Sequence, residues 1–192
     1  MRVLVALVAV GLLSVACGAP EAAPQPAAPV PGAPGAPGAT GVRLSGGGTL
    51  AAPAPKASAV AYNVRLAPPG ASATLTAESG AVLATSTLTV GGLLPDRTYG
   101  AHLHVNPCGA KPEDAGPHYQ HAHSHASADN EVWLDFTTDA HGAATATAKQ
   151  DWAFIPGRLP RSLVIHAKPT TRTGAEAGTA GPRVACVTLA ER

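Results

Sequence analysis

The chain has 192 residues, enough for one domain with additional segments, and a formal charge of only +1 at pH 7. Charged residues make up 13% of the sequence, and no lysine- and arginine-rich run is present of the kind that binds nucleic acid or anionic membranes. We therefore predict no nucleic-acid partner and no electrostatic binding to a membrane surface.

The first residues have the organisation of a signal peptide. Arg2 supplies a positive charge, residues 3–13 form an apolar run that is short for a membrane span, and small residues follow up to Cys17. The segment ending at Cys17 resembles a bacterial lipobox, whose cysteine is acylated, although Ser14 stands where leucine is usual. We expect residues 1–16 to be removed and Cys17 to be lipidated, which puts the protein at the outer face of the cytoplasmic membrane. An ordinary cleaved signal, with secretion, is the alternative.

Residues 17–56 are rich in alanine, proline and glycine. A segment of this composition cannot bury enough apolar surface to offset the entropy lost on ordering. We predict a disordered tether over residues 17–56, which holds the following domain away from the membrane and leaves the lipid as its only membrane contact.

The remaining residues, 57–192, have the pattern of a β domain. Apolar side chains alternate with polar or small ones in several runs, among them residues 60–66, 85–90 and 132–136. Glycine- and proline-containing turns separate these runs, and no helical period of useful length occurs. Many short strands joined by such turns predict an all-β antiparallel sandwich or barrel.

Four of the eight histidines occur in settings typical of metal ligands. His102 and His104 are two residues apart in a predicted strand, so both side chains point to the same face. His118 follows a Gly-Pro pair in a loop, and His166 ends a strongly apolar strand. Two exposed strand histidines are the alternative interpretation of the first pair, but the four together predict a metal site.

The chain has three cysteines, an odd count for an exported protein. If Cys17 carries lipid, Cys108 and Cys186 remain as one pair. An oxidising compartment permits a disulfide between them.

These elements occur in an order that resembles the Cu/Zn superoxide dismutase family. The resemblance covers most of residues 58–192. Its motifs are, in order, Gly-x-His-x-His (residues 100–104), a cysteine (108), Gly-Pro-His (116–118), Val-x-His (164–166) and Ala-Gly-x-Arg-x-Ala-Cys (180–186). It implies an eight-stranded antiparallel Greek-key barrel. It also implies an enzyme that converts superoxide anion to oxygen and hydrogen peroxide by copper redox cycling, and members of the family often form homodimers.

The resemblance assigns roles to individual residues. It implies four copper ligands: His102, His104, His118 and His166. His118 corresponds to the histidine that also contacts zinc when zinc is present, and that carries a proton in catalysis. Arg183 corresponds to the arginine beside the open copper position, where a permanent positive charge attracts and orients the anion. Cys108 and Cys186 correspond to the disulfide that holds the active-site loop to the barrel.

The zinc site departs from the family pattern. The loop after His118 is short, and no carboxylate matches the zinc aspartate of the family cleanly. The zinc candidates are His121, His123, His125, Asp129, Glu131 and Asp135. Three hypotheses stay open: an improvised zinc site, a copper-only dismutase with a more open site, or a loose metal-gathering arm. The aspartate that links the copper and zinc ligands in the family is also missing, and Thr170 stands near its place.

Two other functions compete with the enzyme. One is a surface copper-binding or copper-transfer module with a dismutase-like fold and little turnover, and the other is a structural envelope domain that binds no metal. The complete set of four histidines together with Arg183 favours a copper-dependent superoxide dismutase.

Overall fold

The computed structural model describes residues 41–55 and 57–192. The predicted signal peptide, Cys17 and most of the predicted tether lie outside the described residues. Within the described part of the chain, no helix is both long and apolar enough to cross a membrane.

In the described residues, ten strands form two antiparallel five-stranded sheets. The first sheet has the order β10-β1-β3-β4-β7 and the second the order β2-β9-β8-β5-β6. The strands are β1 (Val42–Thr49), β2 (Ala59–Ala61), β3 (Ser72–Ser79), β4 (Ala84–Gly91), β5 (Thr98–His104), β6 (Phe136–Thr137), β7 (Ala144–Gln150), β8 (Ser162–His166), β9 (Arg183–Thr188) and β10 (Ala190–Glu191). The prediction of an all-β antiparallel fold is confirmed, and eight of the ten strands are longer than two residues.

The first sheet is buried on one face only. Along β3 and β4 every second side chain is buried, so that Leu75 and Leu88 point inward while Thr74 and Thr89 are exposed. Leu75 and Leu88 lie opposite each other in the β3–β4 register. This period of two is what a half-buried strand requires, and it matches the alternation in the sequence.

The second sheet is more deeply buried. Every residue of β8 is buried, and so is every residue of β5 after Thr98. One hydrophobic core contains side chains of both sheets, for example Leu75 and Leu88 from the first and Leu103 and Ile165 from the second. His102 and His104 on β5, and His166 at the end of β8, are therefore placed by buried strands with little freedom to move.

The predicted tether is too long at its C-terminal end. Residues 42–49 fall within the predicted range 17–56, yet they form β1, which pairs with β3 along its whole length and with β10. A Cβ atom on Gly46 would overlap the carbonyl oxygen of Thr188, so this strand needs a glycine where it passes β9. The glycines that allow this close approach give the segment the composition of a linker, which is why the strand was missed.

The predicted disulfide between Cys108 and Cys186 is present. It joins the loop after β5 to β9, across 78 residues of sequence. Both cysteines lie in a small second core with Val60, Ala115 and Val164. The bond therefore fixes the loop that leads to His118 against the strand that begins at Arg183.

Candidate metal centre

The four predicted ligands lie together. One nitrogen from each of four imidazoles lies within 4.8 Å of the others, in the group His102, His104, His118 and His166. His102 and His104 come from β5, and His166 from the neighbouring strand β8, opposite Gly100. His118 is on the following loop, where an isolated bridge pairs its backbone with His104.

Carbonyl groups fix the tautomers of two of these histidines. The Nδ1–H of His104 donates to the carbonyl oxygen of Gly116 at 2.9 Å, and that of His166 donates to Gly181 at 3.1 Å. A carbonyl oxygen can only accept, so the proton of each neutral ring is on Nδ1 and the lone pair is on Nε2. Both Nε2 atoms are buried and have no hydrogen-bond partner among the described residues. Two unsatisfied acceptors are thus directed at the centre of the cluster.

His118 is held in the same way by a carboxylate. Its Nδ1–H donates to Oε2 of Glu131 at 2.8 Å, which leaves the Nε2 lone pair free. This Nε2 is only 3.0 Å from Nδ1 of His102. Nitrogen lone pairs at this distance repel each other unless a cation lies between them, and buried imidazole nitrogens are ligands that bind a transition metal well. The four side chains therefore fit a metal ion.

Burial keeps these imidazoles neutral. It lowers the pKa of His104 to about 2 and that of His166 to about 4, and it holds the pKa of His102 far below its usual range. The neighbouring histidines add to this effect, because one imidazolium would repel another. A metal requires deprotonated ligands, so His102, His104 and His166 are ready to bind one at neutral pH without losing protons.

Glu131 is buried beside the cluster and remains ionised. Burial alone would raise the pKa of this carboxyl, but hydrogen bonds from His118, Gln120 and Trp133 outweigh burial and hold the pKa below its usual range. Gln120 Nε2 donates to Oε1 at 2.8 Å, and Trp133 Nε1 donates to Oε2 at 2.7 Å. The backbone of Gly178 covers the pair, since a Cβ there would lie 3.6 Å from Oε2 of Glu131. The structure thus provides His118 with a protein acceptor on its outer nitrogen.

A cleft of about 710 Å³ leads to the cluster. His118, His166, Glu131, Arg158 and Arg183 are among the residues that line it. His118 retains 19% of its side-chain exposure, whereas His102 and His104 are fully buried. A small solute that enters the cleft therefore meets His118 and His166 before the other two histidines.

Arg183 is at the start of β9 and lines this cleft. Its Nη1 donates to the carbonyl oxygen of Pro112 and its Nη2 to that of Gly116, each at 2.7 Å. Partial burial lowers the pKa of this guanidinium, but arginine stays charged at any physiological pH. Because Gly116 also accepts from His104, the cation and one predicted ligand are held by the same carbonyl group.

The zinc candidates are not brought together. Among the described residues, the four histidines are the only group of three or more metal-ligating side chains close enough to share an ion. His123, His125 and Asp129 are exposed, and the ring of His121 stacks on Trp152 at 4.7 Å between centroids. The remaining two, Glu131 and Asp135, accept hydrogen bonds near the cluster instead.

The sequence prediction missed what Glu131 and Asp135 do. Both were named only as zinc candidates, yet Glu131 orients His118, and Asp135 accepts from the Thr170 hydroxyl, which contacts His102. The signal in the sequence is two acids at the ends of an otherwise apolar run that is almost wholly buried. A buried acid needs specific donors, so this pattern indicates carboxylates that serve a site.

Comparison with known proteins agrees with this geometry. A search of curated proteins found no match. The sequence model of the family described as copper/zinc superoxide dismutase (SODC) matches residues 70–189, well over half of the chain and the segment that carries all four histidines, both bonded cysteines and Arg183. The chain therefore belongs to the copper/zinc superoxide dismutase family.

Proposed function

We propose that the protein is a copper-dependent superoxide dismutase. The observation that supports this most strongly is the cluster of four imidazole nitrogens at the end of a cleft that Arg183 also lines. In three of the four rings, the other nitrogen donates to a carbonyl or carboxylate oxygen, which leaves the lone pair on the nitrogen that faces the cluster. The family assignment supports the same activity.

The ligand atoms follow from the tautomers. Copper would be held by Nδ1 of His102 and by Nε2 of His104, His118 and His166, because these nitrogens face the centre of the cluster. Imidazole nitrogen suits both oxidation states of copper. Bound copper would supply the redox chemistry that superoxide dismutation requires.

Arg183 attracts the substrate and orients it. Superoxide is an anion, and a fixed guanidinium in a cleft with low-dielectric walls raises its local concentration. Hydrogen bonds to Pro112 and Gly116 hold Arg183 in place, so the positive charge needs no reorganisation when the anion arrives.

His118 is the residue that passes a proton to the product. It is the more exposed member of the pair His102 and His118, and its Nε2 faces both the cleft and the cluster. Nε2 has one lone pair, so it would take up a proton only when it does not bind the metal. With Nδ1–H bound to Glu131, the resulting imidazolium would be stabilised by the adjacent carboxylate.

The proposed enzyme requires copper but no zinc. Glu131 already binds the outer nitrogen of His118, which is the nitrogen that zinc would need. The exposed histidines at 123 and 125 are not near a second group of ligands in the described residues. This supports the copper-only hypothesis over the improvised zinc site.

The proposed location is the cell envelope. The disulfide is consistent with an oxidising compartment, and the signal-like N-terminus with Cys17 supports export and lipid attachment. Mass spectrometry of the N-terminal peptide tests the lipid. The homodimer expected from the family resemblance stays a prediction, which light scattering of the purified protein tests.

Metal content and activity measured on one sample test the proposal. The protein is loaded with copper and zinc, dialysed to remove loosely bound metal, and assayed for both metals and for superoxide dismutation. One copper per chain with little zinc and rapid turnover supports the proposal. Several coppers with slow turnover would instead favour the copper-binding or copper-transfer module, since exposed His123 beside the cleft offers an additional ligand.

A further inference from the structure

His102 is the one member of the cluster whose outer nitrogen meets neither a carbonyl oxygen nor a carboxylate directly. Its Nε2 lies 2.7 Å from Oγ1 of Thr170, in the loop after β8. Asp135 is the nearest acid, but its Oδ1 is 4.0 Å from this nitrogen, which is too far for a hydrogen bond. Among the described residues, the threonine hydroxyl is therefore the only hydrogen-bond partner of this nitrogen, and it links the nitrogen to a charged group.

The single proton of the hydroxyl decides the direction of the link. Thr170 Oγ1 donates to Oδ1 of Asp135 at 2.6 Å, because a carboxylate can only accept. The same hydroxyl has no second proton, so it must accept from His102, and Nε2 of His102 must carry the hydrogen. The lone pair of the neutral ring is then on Nδ1, facing Nε2 of His118.

Asp135 is held firmly enough to define this direction. Its Oδ2 accepts from the backbone N–H of Thr170 at 2.8 Å, and its Oδ1 also accepts from the N–H of Ala101 at 3.3 Å. The carboxylate thus binds both the loop and the strand residue before His102. Arg172 adds a weaker partner on the exposed side, with Nη2 3.9 Å from Oδ2.

Gly100 makes room for this arrangement. A Cβ on Gly100 would lie 3.0 Å from Oγ1 of Thr170 and 2.8 Å from the carbonyl oxygen of Lys168. The Gly100 N–H donates to that carbonyl at 2.8 Å, which brings the loop against β5. The absence of a side chain at this position therefore lets the threonine reach the imidazole.

We propose that Thr170 and Asp135 are positioning residues that act through His102. The chain Asp135–Thr170–His102 fixes the imidazole in its Nε2–H tautomer and orients Nδ1 toward the metal position. Glu131 binds the outer nitrogen of His118 directly. An acidic residue therefore lies behind each of these two imidazoles, whose facing nitrogens, Nδ1 of His102 and Nε2 of His118, are 3.0 Å apart. The prediction that copper binding depends on Thr170 rests on the proposed function, whereas the prediction of the His102 tautomer does not.

The first test uses the metal-free wild-type protein. Long-range ¹H–¹⁵N correlation spectra of the imidazoles, assigned by omitting one histidine at a time, identify the protonated nitrogen of each ring. We expect Nε2–H for His102 and Nδ1–H for His104 and His166. An Nδ1–H tautomer at His102 overturns the proposal without any variant of Thr170.

The second test compares Thr170→Val with Thr170→Ser. Valine keeps the shape but removes the hydroxyl, and we expect it to abolish the uniform Nε2–H tautomer and weaken Cu(II) binding about 10- to 100-fold in a chelator competition. Serine should restore both, and the electron paramagnetic resonance spectrum of its Cu(II) form should match the wild type. Thr138→Val is the matched control, because Thr138 is another buried threonine, and its hydroxyl donates to the carbonyl oxygen of Leu94 rather than binding one of the four histidines.

Each result decides the matter. If Thr170→Val keeps the tautomer, the Cu(II) spectrum and the affinity of the wild type, the positioning role is wrong. If Thr138→Val weakens copper as much as Thr170→Val does, the effect is general destabilisation and the role is also wrong. A wild-type protein that has the expected tautomer and binds copper but does not dismutate superoxide refutes the proposed function and leaves the positioning role intact.

Discussion

The imidazole of His118 and the carboxylate of Glu131 form a hydrogen bond of 2.8 Å next to the cluster of four histidines. Glu131 is 1% exposed, and three donors from different residues converge on its two oxygens. A buried carboxylate with this many donors is stable only while all of them are present. The pair is therefore sensitive to any change of charge or acceptor number at position 131.

We expect Glu131→Gln to be destabilised by about 1–3 kcal/mol, because an amide has a single acceptor oxygen and leaves at least one buried donor without a partner. Activity per bound copper should fall as well, since His118 loses its charged acceptor. Chemical denaturation and metal-normalised assays measure the two effects. Glu78→Gln is the control, because Glu78 is exposed and its ion pair with Arg43 at 3.7 Å is a surface contact. Equal stability of both variants would contradict the role of Glu131.

Arg183→Ala should lower the rate of superoxide consumption about 10-fold or more at low ionic strength, because the cleft loses its fixed positive charge near His118 and His166. Arg183→Lys should recover part of the rate, since it keeps the charge but not the fork that binds Pro112 and Gly116. Pulse radiolysis at several salt concentrations measures this. Arg65→Ala, at an exposed site, should behave as the wild type. If Arg183→Ala consumed superoxide as fast as Arg65→Ala does, Arg183 would not guide the anion to the site.

The metal-free protein should lose stability as the pH falls below about 6.5. His104 and His166 have pKa values lowered to about 2 and about 4, so the unfolded chain takes up protons below its ordinary histidine pKa while the folded chain does not. Stability is thus fully present above pH 6.5. Each such histidine contributes a slope of about 1.4 kcal/mol per pH unit below that value. Denaturation of the metal-free protein at pH 7, 6 and 5 tests this, and a constant midpoint would show that the histidines are not buried neutral.

Removal of the disulfide should destabilise the domain by about 2–5 kcal/mol. The double variant Cys108→Ala/Cys186→Ala avoids free thiols and releases the loop before His118 from β9. We expect activity to fall too, because Arg183 is three residues before Cys186 and donates to that loop. The wild type treated with reductant should approach the variant in stability. Unchanged activity in both would show that the loop is held without the bond.

A protein that starts at residue 41 should fold, whereas one that starts at residue 57 should not. The shorter chain lacks β1, so β3 loses one of its two partner strands along its whole length and the core loses Leu44. Circular dichroism and cooperative thermal unfolding distinguish the two. If the shorter chain unfolded with the same midpoint, β1 would be a dispensable addition and the original boundary at residue 57 would be adequate.

The parts of the site that the sequence predicted are those set by local geometry or by the family resemblance. His102 and His104 follow from the strand period alone, because residues two apart share a face. His166 and Arg183 needed the order of the motifs, since nothing local shows that β8 and β9 meet at the cluster. In the structure the three histidines belong to one cluster, and His166 and Arg183 line the cleft beside it.

The acceptors behind the histidines were not predictable in the same way. Glu131 and Asp135 differ by four positions, yet one binds a loop histidine and the other binds a strand histidine through Thr170. Which donor a buried acid meets depends on how three loops pack, and sequence spacing carries no information about that. The first strand was missed for a different reason, since Gly46 is needed for close packing but has the composition of a linker.

The neutral, inward-facing imidazoles have a consequence for the lifetime of the protein. The Nε2 atoms of His104 and His166 are buried polar groups without a partner among the described residues, and a bound metal would offset the cost of burying them. Occupancy then adds to folding stability by mass action, by about 1.4 kcal/mol for each tenfold excess of free metal over the dissociation constant. Molecules that acquire metal outlast those that do not when proteases are present, so the supply of metal sets how much of this protein persists.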